Sequence, residues 1–82
     1  MRLDKYLKVS RLIKRRTVAQ EAASGQRVSV NGRIAKPAHE VKVGDVIEIR
    51  FGSHSLTIRV LNTNEKARKE ESGEMYEVIE EG

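Results

Sequence analysis

Four cationic side chains lie close together near the N-terminus, in the stretch SRLIKRRT at positions 10 to 17. They are Arg11, Lys14, Arg15 and Arg16, and they surround only two apolar residues. Guanidinium groups bind phosphate oxygens through pairs of parallel hydrogen bonds, and a lysine adds a point charge. The stretch is therefore a candidate phosphate site. A solvated charged surface and the stabilised C-terminal end of a helix are the two alternatives at this point.

Three more cations precede this stretch, at Arg2, Lys5 and Lys8, and Asp4 is the one acid near them in the sequence. Repulsion among so many positive side chains costs a free protein stability and gives it no obvious benefit. A phosphate at the start of the following helix would meet backbone N–H groups, a favourable dipole and guanidinium groups together. We therefore interpret these cations as a surface that binds a polyanion.

Two short helices are predicted to position the cations. The first runs from Arg2 to a point between positions 10 and 12, and places Leu3, Tyr6 and Leu7 on an apolar face opposite the charges. We expect the chain to turn after this helix, because continuing the same register would put Leu12 among the cations.

The second helix is predicted to begin with Thr17 as its N-cap. The pattern TVAQ resembles a capping box, in which the Gln20 side chain reaches back to the cap. Alanines at positions 19, 22 and 23 give this helix a thin face that can pack closely on the first. Gly25 is expected at the C′ position, because helices often end with a glycine in the left-handed region.

Two hairpins are predicted after the helices. Asn31-Gly32 follows the alternating Val28 and Val30, and both turn residues tolerate a positive φ. The second hairpin joins VIEIRF at 46–51 to the alternating segment 56–60 through a turn over Gly52 to Ser55. These patterns predict a small antiparallel sheet.

The C-terminal segment is charged, and its apolar residues Met75, Tyr76, Val78 and Ile79 are spaced in a way that favours a helix. The predicted fold class is therefore α+β: two N-terminal helices packed on a small antiparallel sheet, with a C-terminal helix. We expect one domain over residues 1–61 and a charged, helical C-terminal extension over residues 62–82.

The charge is unevenly distributed along the 82 residues. Residues 1–50 contain twelve lysines and arginines against five acids, whereas residues 51–82 contain four against seven. This split suggests a body that binds polyanions and an acidic tail that points away from them. The absence of cysteine, of a signal-peptide pattern and of a long apolar run predicts a soluble, cytoplasmic protein. We also expect no membrane binding, because the apolar face of the first helix offers leucine and tyrosine rather than the bulky tryptophan and phenylalanine typical of membrane-bound helices.

No set of residues suggests catalysis. His39 and His54 are fifteen positions apart in turn-like segments, and we interpret both as loop residues. Neither a Ser-His-acid set nor a glycine-rich phosphate loop is present. We expect a protein that is not an enzyme and that has no cofactor and no metal site; a small ribonuclease is the remaining enzymatic alternative.

The kind of nucleic acid follows from the aromatic content. Proteins that bind single strands stack bases on aromatic side chains, and this chain has only Tyr6, Phe51 and Tyr76. A rigid surface of two helices that carries arginine suits recognition of the backbone and shape of a folded RNA, although charge alone does not separate RNA from DNA.

A family resemblance rests on four segments: RLDKYL at 2–7, RRTVAQEAASGQRVSVNG at 15–32, KP at 36–37 and VKVGDVI at 41–47. Together they resemble the RNA-binding domain named after ribosomal protein S4, over roughly the first fifty residues. The resemblance implies the alpha-L fold, two helices packed on a small sheet, and binding of structured RNA. It also assigns RNA contacts to matching positions. With the neighbouring cations, the predicted RNA-binding residues are Arg2, Lys5, Lys8, Arg11, Lys14, Arg15, Arg16 and Lys36.

The length of the chain and the stretch KVSRLIKRR at 8–16 are most similar to stand-alone members related to the fifteen-kilodalton heat-shock protein. This resemblance implies a role in ribosome-associated quality control. The expected partners are the rRNA of the large ribosomal subunit, an obstructed peptidyl-tRNA that is held in place, and a factor that adds C-terminal alanine tails to stalled nascent chains. We expect a monomer. The alternative is a generic rRNA-binding chaperone or a large-subunit assembly factor.

Overall fold

The computed structural model describes residues 1–63 and 75–82. Within these ranges the elements follow the order α1 Leu3–Val9, α2 Arg16–Ser24, β1 Val28–Val30, β2 Arg33–Ile34, β3 Val46–Phe51, β4 His54–Val60 and β5 Tyr76–Glu81. The five strands form one antiparallel sheet in the order β2-β1-β3-β4-β5. The predicted α+β class, with two N-terminal helices and an antiparallel sheet, is confirmed.

The first helix is shorter than predicted, because it begins at Leu3 and ends at Val9. Ser10 is its C-cap, and Arg11 takes a φ of +67° that turns the chain away. The Arg11 N–H donates to the carbonyl of Lys8, which satisfies one of the last carbonyls of the helix. The expected turn near positions 10 to 12 is therefore present, and an arginine occupies its left-handed position.

The predicted cap of the second helix is wrong. The helix begins at Arg16, its N-cap is Arg15, and no side chain of the described residues caps it. Thr17 lies inside the first turn, so its hydroxyl cannot serve as the N-cap acceptor of a capping box.

The end of α2 also differs from the prediction by one residue. Gly25 is the C-cap and has a φ of −80°, while Gln26 takes the left-handed conformation at +63°. The N–H of Gln26 donates to Ala23 and that of Arg27 to Ala22, the two hydrogen bonds of a Schellman motif. Glycine is needed at position 25 for space, because a Cβ there would lie 2.9 Å from the carbonyl oxygen of Glu21.

Both predicted hairpins are present. Asn31 and Gly32 have φ values of +53° and +84°, as expected for a two-residue turn between β1 and β2. The Asn31 side chain also accepts from the Val46 N–H at 2.9 Å, which ties this turn to the start of β3. The turn between β3 and β4 is shorter than predicted, because β4 already begins at His54.

The core lies between the sheet and the helices. The register places Val28 opposite Ile49, and Val30 opposite Ile47, which in turn lies opposite Ile58. These residues share one face of the sheet, since directly opposite side chains point the same way. The buried apolar residues of α1 and α2 complete this cluster: Leu3, Tyr6, Leu7, Ala19 and Ala23.

The predicted C-terminal helix is wrong over the last residues, which form β5 along β4. The register changes between Thr57 and Ile58, so that Val78 lies opposite Ile58 and Glu80 opposite Thr57. The extra residue, Ile79, is a β-bulge, and it breaks the alternation that would otherwise have indicated a strand. The rest of the predicted helix falls in residues 64–74, outside the described residues, and the boundary near residue 61 stays a prediction.

Candidate nucleic-acid interface

A buried carboxylate lies where the first turns of α1 and α2 meet. The Asp4 side chain is only 1% exposed, and both of its oxygens face Arg2, with distances of 3.2 Å from Nε to Oδ1 and 3.3 Å from Nη2 to Oδ2. The Nε of Arg16 lies 3.7 Å from Oδ2, and the Lys5 backbone N–H donates to Oδ1 at 2.8 Å. One carboxylate therefore holds two guanidinium groups, that of the α1 N-cap residue Arg2 and that of Arg16, the first residue of α2.

This pairing goes beyond the sequence-based interpretation. Asp4 lies in the first turn of α1, where an acid is favourable, but it is also buried and paired with Arg2 and Arg16. Both guanidinium groups remain about half exposed, at 50% and 49%. Each therefore keeps donors directed to solvent, because a guanidinium has five N–H groups and only one or two face the carboxylate.

The loop after β2 covers the start of α1. The Leu3 N–H donates to the His39 carbonyl at 2.8 Å, and the Asp4 N–H donates to the Pro37 carbonyl at 3.2 Å. The free N–H groups at this helix end are thus occupied, and α1 offers no backbone phosphate site there. The same loop holds the exposed Lys36 at the Asp4 end of α1.

The start of α2 is different. Its N-cap Arg15 has an extended backbone with φ of −115° and ψ of 133°, and no side chain of the described residues caps the helix. Arg15 and Thr17 are exposed. This end can therefore present backbone N–H groups to an anion beside the guanidinium groups of Arg15 and Arg16.

The structure divides the eight predicted residues between two places. Arg2, Arg15, Arg16 and Lys36 lie around the first turns of the two helices, whereas Lys8, Arg11 and Lys14 lie at the other end of α1 and in the connection to α2. Lys5 lies on α1 between them and is partly buried. Five of the eight have no ion pair within residues 1–63 and 75–82: Lys8, Arg11, Lys14, Arg15 and Lys36.

The remaining candidates for chemistry are dispersed. His39 lies in the loop after β2 and His54 is the first residue of β4, where a turn residue was expected. Among the described residues, no group of three His, Cys, Asp or Glu side chains could hold a metal ion. Tyr6 is fully buried, so its ring is no stacking surface for a base.

Comparison with known proteins gives the family. Residues 1–47 match the S4 domain. Over 99% of its length the chain is 54% identical to the RQC P-site tRNA stabilizing factor of Streptococcus pneumoniae, of which it covers 92%, and 49% identical to that of Bacillus subtilis, of which it covers 94%. The chain belongs to this family of S4-domain proteins.

A solved structure supports the same assignment. The S4-domain fold of this chain matches a structure described as the trimeric structure of Vibrio cholerae Heat Shock Protein 15, with a TM-score of 0.87 and 32% identity. The match covers 96% of this chain and 81% of the Vibrio chain. It extends beyond the S4 domain to most of the sheet. No helix in the part of the chain that the structure describes is long and apolar enough to span a membrane.

Proposed function

We propose that the chain binds the large ribosomal subunit when this subunit carries an obstructed peptidyl-tRNA. It would stabilise that tRNA during ribosome-associated quality control, while stalled nascent chains receive C-terminal alanine tails. The observation that carries the proposal is the exposed cationic surface around Asp4, which consists of Arg2, Arg15, Arg16 and Lys36. The near full-length relatives of the chain are named RQC P-site tRNA stabilizing factors.

The proposed mechanism is positioning rather than catalysis. Asp4 fixes the guanidinium groups of Arg2 and Arg16 relative to both helices, so little side-chain entropy is lost when they meet a phosphate. Arg15 and Lys36, which have no ion pair within the described residues, would add contacts at the same place. A prearranged set of cations recognises the backbone geometry of a folded RNA without reading its bases.

The partners in this proposal are rRNA of the large subunit, the peptidyl-tRNA, and a factor that extends the stalled chain on the same subunit. The protein would act in the cytoplasm as a monomer. A generic rRNA chaperone or a large-subunit assembly factor is the second candidate, because it would need the same cationic surface on the same fold.

A pull-down separates the two candidates. The tagged protein, expressed in a bacterium, should enrich free large subunits that carry peptidyl-tRNA, which is detected by northern blotting and by release of the nascent chain with puromycin. An assembly factor would instead enrich immature particles without tRNA. Recovery of only such particles would contradict the proposal.

Arg15→Gln is the variant that tests the surface most directly. It removes one exposed charge with no ion pair among the described residues, so folding should be unaffected while the affinity for large subunits falls. Arg16→Gln is less suitable, because it also removes the ion pair with Asp4. Arg59→Gln is the control, because Arg59 is exposed on β4 and its ion pair with Glu77 is about half exposed on both sides, so that losing this pair costs little stability, unlike the pair with the buried Asp4. Equal reductions in affinity for Arg15→Gln and Arg59→Gln would argue against the surface around Asp4.

A further inference from the structure

A second pair of arginines lies at the far end of α2. Arg27 precedes β1 and Arg50 lies near the end of β3, and the Arg50 N–H donates to the Arg27 carbonyl at 2.9 Å. This bond continues the register in which Val28 lies opposite Ile49, so the two arginines are direct cross-strand neighbours. Like charges in this arrangement destabilise an antiparallel pair, which raises the question of what offsets their repulsion.

Ion pairs among the described residues offset the repulsion between Arg27 and Arg50 only in part. The Arg50 Nε lies 3.2 Å from Glu48 Oε1, but the two side chains are 71% and 36% exposed, and ion pairs this open to water contribute little. Arg27 has no ion pair within the described ranges. The end of α2 beside Arg27 does not need its guanidinium, because the Ala22 and Ala23 carbonyls already accept N–H groups in the Schellman motif.

The two arginines line an open cavity of about 420 Å³, together with Gln26 and Gly52. Its polar side chains are two guanidinium groups, which only donate hydrogen bonds, and the Gln26 amide, which both donates and accepts. Gln26 is held at the rim by its left-handed backbone at the end of α2. A phosphodiester group supplies the negative charge that these lining residues lack, and its oxygens accept hydrogen bonds from the two guanidinium groups.

We propose that Arg27 and Arg50 bind a phosphodiester of the RNA that is contacted by the surface around Asp4. This inference rests on the proposed function and adds a second contact to it. The nine residues of α2 separate Arg16 from the new site, a distance of about 14 Å at 1.5 Å per residue. A folded RNA backbone can reach both ends of this helix, whereas a mononucleotide or a free phosphate reaches only one.

The test measures binding to large ribosomal subunits carrying peptidyl-tRNA, at salt concentrations from about 50 to 200 mM. The variants are the double substitution Arg27→Gln with Arg50→Gln, the first-site variant Arg15→Gln, and the control Arg59→Gln. The double variant should bind several-fold more weakly than Arg59→Gln, and the slope of log affinity against log salt should decrease by about 1 for each phosphate that the variant no longer binds. A folding defect would lower the active fraction without changing this slope.

The outcomes distinguish the inference from the proposed function. If Arg15→Gln weakens binding but the double variant matches Arg59→Gln in affinity and slope, the second site is refuted and the proposed function stands. If the wild-type protein does not bind these subunits, both are refuted. Inorganic phosphate at up to millimolar concentration should not compete with the subunit for Arg27 and Arg50. If phosphate binds these two arginines as tightly as the subunit does, the site is for a free anion and the RNA contact is refuted.

Discussion

The Tyr6 hydroxyl donates a hydrogen bond of 2.6 Å to the Met75 carbonyl, across 69 positions of the sequence. Both residues are fully buried. The bond joins the helix that carries several candidate RNA contacts to the residue that precedes the last strand. Burial raises the pKa of the Tyr6 phenol, and the nearby Tyr76 raises it further.

Replacing Tyr6 with Phe removes this bond while it keeps the ring. The Met75 carbonyl then lacks its buried donor, so we expect a decrease of about 1–2 kcal/mol in the free energy of unfolding. Urea denaturation followed by circular dichroism measures the change. Tyr76→Phe is the control, because Tyr76 is only partly buried and makes no such bond in the described residues. A stability equal to that of the wild type would show that the bond contributes nothing.

The raised pKa of Tyr6 predicts a loss of stability in alkali. The phenol of the unfolded chain releases its proton near pH 10, whereas the buried phenol retains it, so the folded-state pKa is the higher one. The stability that the neutral, buried Tyr6 phenol contributes is therefore fully present below about pH 10. It is lost as pH rises above this value, by up to about 1.4 kcal/mol per pH unit. Denaturation midpoints between about pH 8 and pH 11 should fall more steeply for the wild type than for Tyr6→Phe. If the midpoints of the wild type and of Tyr6→Phe fall in parallel with pH, Tyr6 is not the cause of the loss of stability.

Asp4→Asn separates positioning from simple electrostatics. The variant gains positive charge, so unspecific attraction to RNA should increase, yet the amide no longer holds Arg2 and Arg16 through a full carboxylate. We expect a stability decrease of about 2 kcal/mol and a lower ratio of affinity for large subunits to affinity for an unrelated RNA duplex. Glu77→Gln changes the charge equally on exposed β5 and should leave the ratio unchanged. If the ratio is unchanged in Asp4→Asn, Asp4 does not position the two arginines for binding.

Arg11→Gly should stabilise the protein and weaken its binding. Arg11 has a φ of +67°, and relieving an L-residue in this region contributes about 1 kcal/mol. The same change removes a predicted phosphate contact, so the salt slope of subunit binding should decrease by nearly 1. Arg11→Ala is the comparison, because it removes the cation but keeps the backbone strain. If Arg11→Gly binds as tightly as the wild type, the arginine is not an RNA contact.

The end of α2 gives two neighbouring substitutions with opposite expected signs. Gly25→Ala should destabilise the protein, because its Cβ would lie 2.9 Å from the Glu21 carbonyl oxygen and the backbone must shift. Gln26→Gly should stabilise it by up to about 1 kcal/mol, because Gln26 has a φ of +63°. Thermal unfolding of the two variants measures both effects. A stabilised Gly25→Ala variant would contradict this description of the helix end.

The sequence predicted the elements whose signals are local. Asn31-Gly32 required a tight turn whatever surrounded it, and the alternation of Ile47 and Ile49 indicated a strand with one buried face. The cap of α2 was misplaced because a threonine three positions before a glutamine resembles a capping box even when the helix starts earlier. A shift of one residue in the start of a helix depends on tertiary contacts, and the spacing of residue types along the sequence does not reveal these contacts.

The last strand and the role of Asp4 could not be predicted for the same physical reason. Tyr76–Glu81 is a strand because β4 offers an open edge, and the bulge at Ile79 hides its alternation. Asp4 is buried because α2 and the loop after β2 close over it, and helical periodicity alone gives only its position on α1. The candidate cations were identified from their types and number, whereas their arrangement around one carboxylate required the folded chain.

The bond between Tyr6 and Met75 also bears on the order in which the protein matures during translation. The ribosome produces α1 first, but the acceptor for its tyrosine follows 69 positions later, directly before β5. Contacts so distant along the chain form late, because the intervening loop must close before they can stabilise anything. A nascent chain in which Met75 has not yet emerged therefore carries the cationic residues of α1 on a scaffold that lacks this buried bond.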